Sequence, residues 1–478
     1  MITVGFVLLI LCHFICGLGL LHLFGIRLSM GSMLGLSLIL GVALASFIPF
    51  ALELFHLKIS AISVLWGLII LTVFCCIPIA IRFKLPDFKN LSWPLHLYDY
   101  PYLFIYGVLL SVSIWHCYYY PVLPRDMLSG PEVMAEYALK EGTMINSIFK
   151  IDLQTTNNQL KPPYITSLQI IYKLFVNPFG QLWLSVTVVG FVIWLYSLLR
   201  KTLHPLIGGF VLLFFLVIPE MYAYTYMILF DYSNAVFFFA GFYFLARFIR
   251  SKNKNEFWFS SFAFGIATYI RTETLILVVM TLPLLLFYLW RDKTSAKQWI
   301  IHAVGFSLFT VVFYFLVMNV FIKGYIPSSF DVASQVNKHL TNLSPLFDRL
   351  YEMSSKLIFS DWGTGLYGYF IRLFIFVLAV DAIFFRSFSK EAVVAIYGVL
   401  IVYIGLGIIG WLLPLADLSN TTKRGLFKIF PLMLFYLANS ASLIKLSSLI
   451  NNWEYSKSSE PQAASEIPAT RKVKSNKK

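Results

Sequence analysis

The feature that most constrains this chain is its succession of apolar segments. About thirteen of them run through the 478 residues, near 2–25, 31–52, 60–81, 100–118, 182–199, 205–219, 224–248, 257–270, 274–290, 299–321, 366–385, 392–414 and 426–446. A helix needs roughly 20 apolar residues to cross the hydrocarbon of a bilayer. Only helices and closed barrels satisfy the backbone there. The segments are continuously apolar and not alternating, which favours helices over a barrel. The expected fold class is an all-α polytopic membrane protein of about thirteen transmembrane helices. Composition agrees: 59% of residues are hydrophobic, 13% are charged and mean hydropathy is +0.77, against roughly 25% charged in soluble domains.

Basic residues test the alternation. Arg27; Arg82, Lys84 and Lys89; Arg200 and Lys201; Arg250, Lys252 and Lys254; Arg291, Lys293 and Lys297; and Arg386 and Lys390 fall in loops that share one side. Positive-inside bias makes that side cytoplasmic, and the C-terminal RKVKSNKK lands there too. The net charge of +14 is thereby explained without a nucleic-acid partner. The other face carries two long loops, 119–181 and 322–365. The five cysteines lie in apolar segments, with neither metal spacing nor a secreted disulfide pattern. No Lys or Arg precedes Arg27, so the first segment lacks a basic leader region and is expected to be retained.

The first long loop opens with LPRDMLSGPEVMAEYALKEG, just after an aromatic cluster (Trp115, Tyr118, Tyr119, Tyr120) suited to a membrane–water interface. Ser129 to Glu132 fits a capping box with Pro131 in the first turn. Val133, Met134, Tyr137 and Ala138 share a face, and Gly142 is a plausible stop. A short amphipathic helix along the membrane surface is expected, with Glu132 and Glu136 on its solvated side. Lys161-Pro162-Pro163-Tyr164 forces an extended turn, followed by a second amphipathic helix from about Ile165 to Val176.

An ionisable group inside the membrane is costly and points to function. Asp231 sits in an apolar run sixteen residues from Arg247, roughly 24 Å up a helix. Arg271 and Glu273, in YIRTET, follow a span of only about fourteen apolar residues, roughly 21 Å long, so this turn should lie below the outer surface. Lys423 and Arg424 are basic on the face that disfavours them. One outward cavity collecting Asp126, Lys161, Asp231, Arg271, Glu273 and Arg424 follows. Cations hold phosphate oxygens, and a carboxylate takes a proton from an attacking hydroxyl or amine. Each residue also has an ordinary reading: a solvated loop acid for Asp126, a loop lysine for Lys161, an interhelical partner for Asp231, a structural ion pair for Arg271 and Glu273, an interfacial side chain for Arg424. Asp361 and Trp362 read as loop residues, and the eight histidines show no HExxH spacing.

In the order of these features, the chain over about 100–445 resembles the polytopic C-type (GT-C) glycosyltransferases that use polyprenyl-phosphate sugars. Protein O-mannosyltransferases and aminoarabinose transferases are of this kind. The resemblance rests on the acid-bearing outer loop, the KPPY turn, DYSNAVFFFAGFYFLARF, YIRTET and TTKRGLFKIFP before the last span. The acidic pair common in the family is absent, since Met127 follows Asp126. The resemblance implies a membrane glycosyltransferase that moves a sugar from a polyprenyl-phosphate donor to a glycan, lipid or protein acceptor on the non-cytoplasmic face. It implies Asp126 as catalytic base or metal-proximal acid, Lys161 and Arg424 on the carrier phosphate, and Asp231 or Glu273 as supporting acids; Arg271 joins them as a substrate-binding candidate. Some relatives bind a divalent metal and others need none, so the metal ligands are unknown.

The domain reading that follows has three parts: an additional three-helix unit at 1–98, a GT-C-like catalytic core at 99–448 and a disordered basic cytoplasmic tail at 449–478. The expected setting is a bacterial inner membrane, with the site facing the periplasm or exterior. Two other classes fit the same composition: a transporter or flippase of lipid-linked or small anionic substrates, and a polysaccharide polymerase or ligase using diphosphate-linked donors.

Overall fold

The computed structural model describes residues 2–82, 95–122, 125–149, 161–324, 342–412 and 417–458. Lys84, Lys89, the RKVKSNKK end and parts of both long loops lie outside them. Among the described residues the chain is helical, with no strand. Nine helices are long and apolar enough to cross a membrane, or up to eleven if each of two bent pairs is one span. The expected thirteen is reduced because two segments form short helices, Pro205–Leu216 of 12 residues and Lys254–Ile270 of 17.

The helices are α1 (Ile2–Leu23), α2 (Met30–Leu54), α3 (Ala61–Arg82), α4 (Asp99–Tyr119), α5 (Val133–Glu141), α6 (Tyr164–Phe175), α7 (Leu182–Leu199), α8 (Pro205–Leu216) and α9 (Phe230–Ser251). They continue with α10 (Lys254–Ile270), α11 (Thr274–Arg291), α12 (Ala296–Phe321), α13 (Ser344–Glu352), α14 (Asp361–Tyr367), α15 (Phe370–Phe385), α16 (Lys390–Leu412), α17 (Leu418–Ala438) and α18 (Ala441–Ser458). Caps mark several starts. Asn253 accepts from the Asn255 amide, Ser295 from Gln298, and the Asp417 carboxylate from Asn420 and Thr421, each satisfying an amide that the helix leaves orphaned. The α14–α15 pair bends by 96° at Gly368, whose φ of 59° and ψ of −148° are open essentially to glycine alone.

Two expectations for the first long loop are corrected. No surface helix starts at the Ser129–Glu132 box. Gly130 is non-helical, α5 begins at Val133, and Glu132 occupies its N-cap without a side-chain cap bond. Gly142 does end α5, in the left-handed region at φ 77°. The second helix forms at Tyr164–Phe175, close to its expected bounds, but Tyr164 to Tyr172 are all buried, so it presents no solvent face there. Gln169 and Lys173 find protein partners instead. Gln169 donates to Glu132 and to the Phe179 carbonyl and accepts from Trp183. Lys173 bridges Glu132 and Glu136, each at 2.6 Å, so those acids are not simply solvated. The tail also begins differently, because helix continues through Ser458.

The N-terminal helices pack into the rest of the bundle. Gly35 of α2 lies directly against the Gly190 carbonyl of α7, so that a Cβ there would sit 2.3 Å from that oxygen. Small residues let membrane helices approach this closely. Glu53, at the end of α2, accepts from Thr143 and from the Met144 amide and pins the chain after α5.

Charges sort to the two ends of the bundle. At one end Arg247 reaches the Arg27 carbonyl, Arg250 pairs with Glu391, Lys252 with Asp292 and Arg200 with Asp99. These are the loops that the sequence grouped on one side. Asp231, at the start of α9, lies a helix length away from Arg247 and Arg250.

The glycine contact sets a test. Gly35→Val should lower the thermal stability of the purified protein by about 1–3 kcal/mol, as overpacking generally does. Gly107→Ala, where a Cβ meets nothing within 4 Å, should leave the melting curve in place. Equal melting temperatures for Gly35→Val and wild type would show that the α2–α7 approach is not tight.

Candidate functional site

Four chain segments converge at the end of the bundle opposite those loops. Asp126 sits in a single helical turn, Arg125–Met127, anchored by the buried Met127. Lys161 precedes two buried prolines, Pro162 and Pro163. A following proline disfavours helix at Lys161, and Tyr164 then starts α6. The Lys161 ammonium donates to the Asp126 backbone carbonyl at 3.1 Å, tying the two loop positions together.

Arg424 lies in the first turns of α17 and is only 9% exposed. Its Nη1 faces Asp126 Oδ2 at 3.6 Å, and its Nε donates to the Asn420 carbonyl. The turn is braced from outside: Arg349 donates to Thr422 at 2.6 Å, and Tyr367 donates to the Lys423 carbonyl at 2.8 Å. Lys423 pairs with Glu220 at 2.7 Å.

Deeper in the bundle, Asp231 is 1% exposed in the first turn of α9, where the helix dipole favours a carboxylate. Arg271, in extended backbone at the end of α10, pairs with Asp231. Its Nε also meets Glu273 Oε1 at 2.5 Å. One guanidinium thus holds two acids from two chain segments. Breaking such a buried pair by removing one partner costs about 3–5 kcal/mol.

All six sequence-derived candidates therefore belong to one network. Lys161 lies within electrostatic reach of Asp126, Arg424, Arg271 and Asp231, and Glu273 joins through Arg271. The sequence reading missed a seventh member, Lys428. It is 1% exposed and feels the charges of Glu273, Arg271 and Asp231. The available signal was its spacing, four residues after Arg424, one turn along the same helix face.

A cavity of about 430 Å³ opens at this cluster, lined by Asp126, Glu220, Tyr224, Asn420, Lys423 and Arg424 together with Ala223, Met227 and Leu229. Asp126 is the most exposed of the acids here, at 33% of its side chain. In the network around it, the cations Lys161, Arg271, Arg424 and Lys428 face the carboxylates Asp126, Asp231 and Glu273. That leaves one positive charge uncompensated, which suits an anion. Both acids on the cavity wall, Asp126 and Glu220, face cations, an arrangement that does not favour a divalent metal between them. Among the described residues, the His, Cys, Asp or Glu group with ligand spacing is His96, His204 and Glu454, which joins the loop before α4 to the tail helix α18, away from this cavity.

No protein-family model, curated protein or solved structure matches the chain significantly.

Burial pulls the Lys161 ammonium down to about 8, with Arg424 and Arg271 adding repulsion and Asp126 and Asp231 partly offsetting it. The group is charged below that pH and neutral above it. Anion binding at the cluster should be flat below about pH 7 and weaken by about three- to tenfold between pH 7.5 and 9. Lys161→Arg should shrink that limb, because a guanidinium stays protonated throughout. A wild-type affinity for a phosphate ligand that does not change up to pH 9.5 would remove Lys161 from the site.

Proposed function

We propose that this protein is a membrane-embedded glycosyltransferase, drawing its sugar from a polyprenyl-phosphate carrier and passing it to a glycan, lipid or protein acceptor. The observation that carries the reading is the meeting of the most exposed acid of the network, Asp126, with the buried Arg424 guanidinium on the wall of a 430 Å³ cavity. In the proposed reaction an acceptor hydroxyl attacks the anomeric carbon and gives its proton to Asp126. The bond from that carbon to the phosphate oxygen breaks, and its electron pair stays on the departing polyprenyl phosphate. Arg424 and Lys161 hold the charge that develops on this leaving group. Arg271 fixes Asp231 and Glu273 behind them.

Two features favour this over the other classes. The charged groups and the cavity gather at one end of the bundle, whereas transporters place their sites near the midplane. The single uncompensated positive charge matches a phosphodiester donor, which carries one charge, better than a diphosphate-linked donor, which carries two. With this reading go a GT-C-like core over 99–448 and a bacterial inner-membrane setting. The basic end would then be cytoplasmic under positive-inside bias, and the cavity would face the periplasm.

The test is transfer by the purified, membrane-reconstituted chain from a labelled polyprenyl-phosphate sugar. Asp126→Asn should cut kcat by about 10²–10⁴-fold, the usual worth of a positioned base, while donor binding persists. Arg424→Ala should raise the donor KM about tenfold or more and leave the acceptor KM alone. Undiminished transfer by Asp126→Asn would sink the catalytic assignment.

A further inference from the structure

Lys428 has no role in the scheme above, and its placement is unusual. It lies on α17 one turn beyond Arg424 and is almost completely withdrawn from solvent. Among the described residues its ammonium makes neither a hydrogen bond nor an ion pair. The two acids nearest to it are already engaged, since Asp231 and Glu273 are both gripped by Arg271. A buried ammonium with three unused donors is destabilising unless something fills them. Lys428 sits within reach of Arg271, and it shares Asp231 with Arg271 and Arg424, so the cluster suits an anion.

We propose that Lys428 is the inner wall of a phosphate seat, with Arg424 and Lys161 as its outer members. The seat would take the phosphate of the lipid carrier, before and after its bond to the sugar breaks. This assignment rests on the glycosyltransferase reading and adds to it the group that anchors the donor at its deepest point. Arg424 and Lys161 both also attend to Asp126. Lys428 is committed to no carboxylate directly, so it is the cation most free to follow the growing charge on the leaving phosphate. The seat recognises a phosphate ester. Three sources offer that chemistry: a polyprenyl phosphate, an ordinary anionic phospholipid and free inorganic phosphate.

The experiment uses the full chain in nanodiscs and reads both melting temperature and ligand affinity. The probes are polyprenyl monophosphate, the matching uncharged polyprenol, phosphatidylglycerol and inorganic phosphate. Wild type should bind polyprenyl monophosphate at least tenfold more tightly than the other three. Lys428→Met should lower that affinity tenfold or more. It should melt no earlier than wild type without ligand, because the substitution removes an unpaired buried charge while keeping its volume. Lys428→Arg should recover part of the affinity. A structural lysine would behave oppositely, with Lys428→Met melting earlier and binding as before; that result overturns the proposal. Unchanged affinity in Lys428→Met alongside a large loss in Arg424→Ala would also overturn it and leave the glycosyltransferase reading in place. Equal binding of polyprenyl monophosphate and polyprenol by wild type would remove the donor reading itself, and the phosphate seat with it. Preference for phosphatidylglycerol or inorganic phosphate would assign the seat to that source and overturn the carrier assignment.

Discussion

The architecture at the functional end depends on one guanidinium. Arg271 stands where α10 stops, and it reaches Asp231 at the head of α9 and Glu273 two residues on. Without it, the buried Asp231 carboxylate would have no ion-pair partner and would face the half-buried Glu273 as a second acid, a costly arrangement in a low-dielectric interior. With it, the α10–α11 break becomes a fixed point. Asn234 strengthens that point by donating to the Ala267 carbonyl and to Thr274. Around it are arranged the two loop residues, Asp126 and Lys161, and the cationic face of α17.

Much of this was legible from the residues because a bilayer makes charge conspicuous. Asp231, Arg271, Glu273 and Arg424 each interrupt or border an apolar run, and energetic cost alone marked them. The positions of most helices followed from the same contrast. What escaped was whatever depended on partners distant in sequence. Lys173 closes on Glu132 and Glu136, 41 and 37 positions earlier. That engagement accompanies the burial of α6, which its amphipathic pattern did not indicate. Lys428 was hidden by its neighbours, since LFKIFP reads as the start of a continuous apolar helix. Only its turn-by-turn relation to Arg424 gave it away. The length of α8 was also misjudged, because the apolar Val217 and Ile218 belong to a break and not to the helix.

Asp126 and Lys161 are coupled in a way their separate roles do not require. The lysine holds the main-chain carbonyl of the aspartate, so a shift of one loop position carries the other with it. Lys161 in turn is followed by two buried prolines that restrict the chain leading into α6. In the proposed reaction, base and phosphate-binding cation would thus be tied together by one contact between two loop segments, which suits a step that needs both at fixed separation from a single ligand.

The short helices have a consequence for how the bundle sits in its membrane. Pro205–Leu216 has only 12 residues, about 18 Å of helix, and the surrounding lipid alone cannot retain so short a segment against a ~30 Å hydrocarbon layer. It is joined to α7 through a tight turn in which His204 caps it, and it packs on α4 through Gly209, which lies against the Tyr102 ring. A segment this short depends on its helical neighbours to hold it at membrane depth, so α4 and α7 are what anchor it.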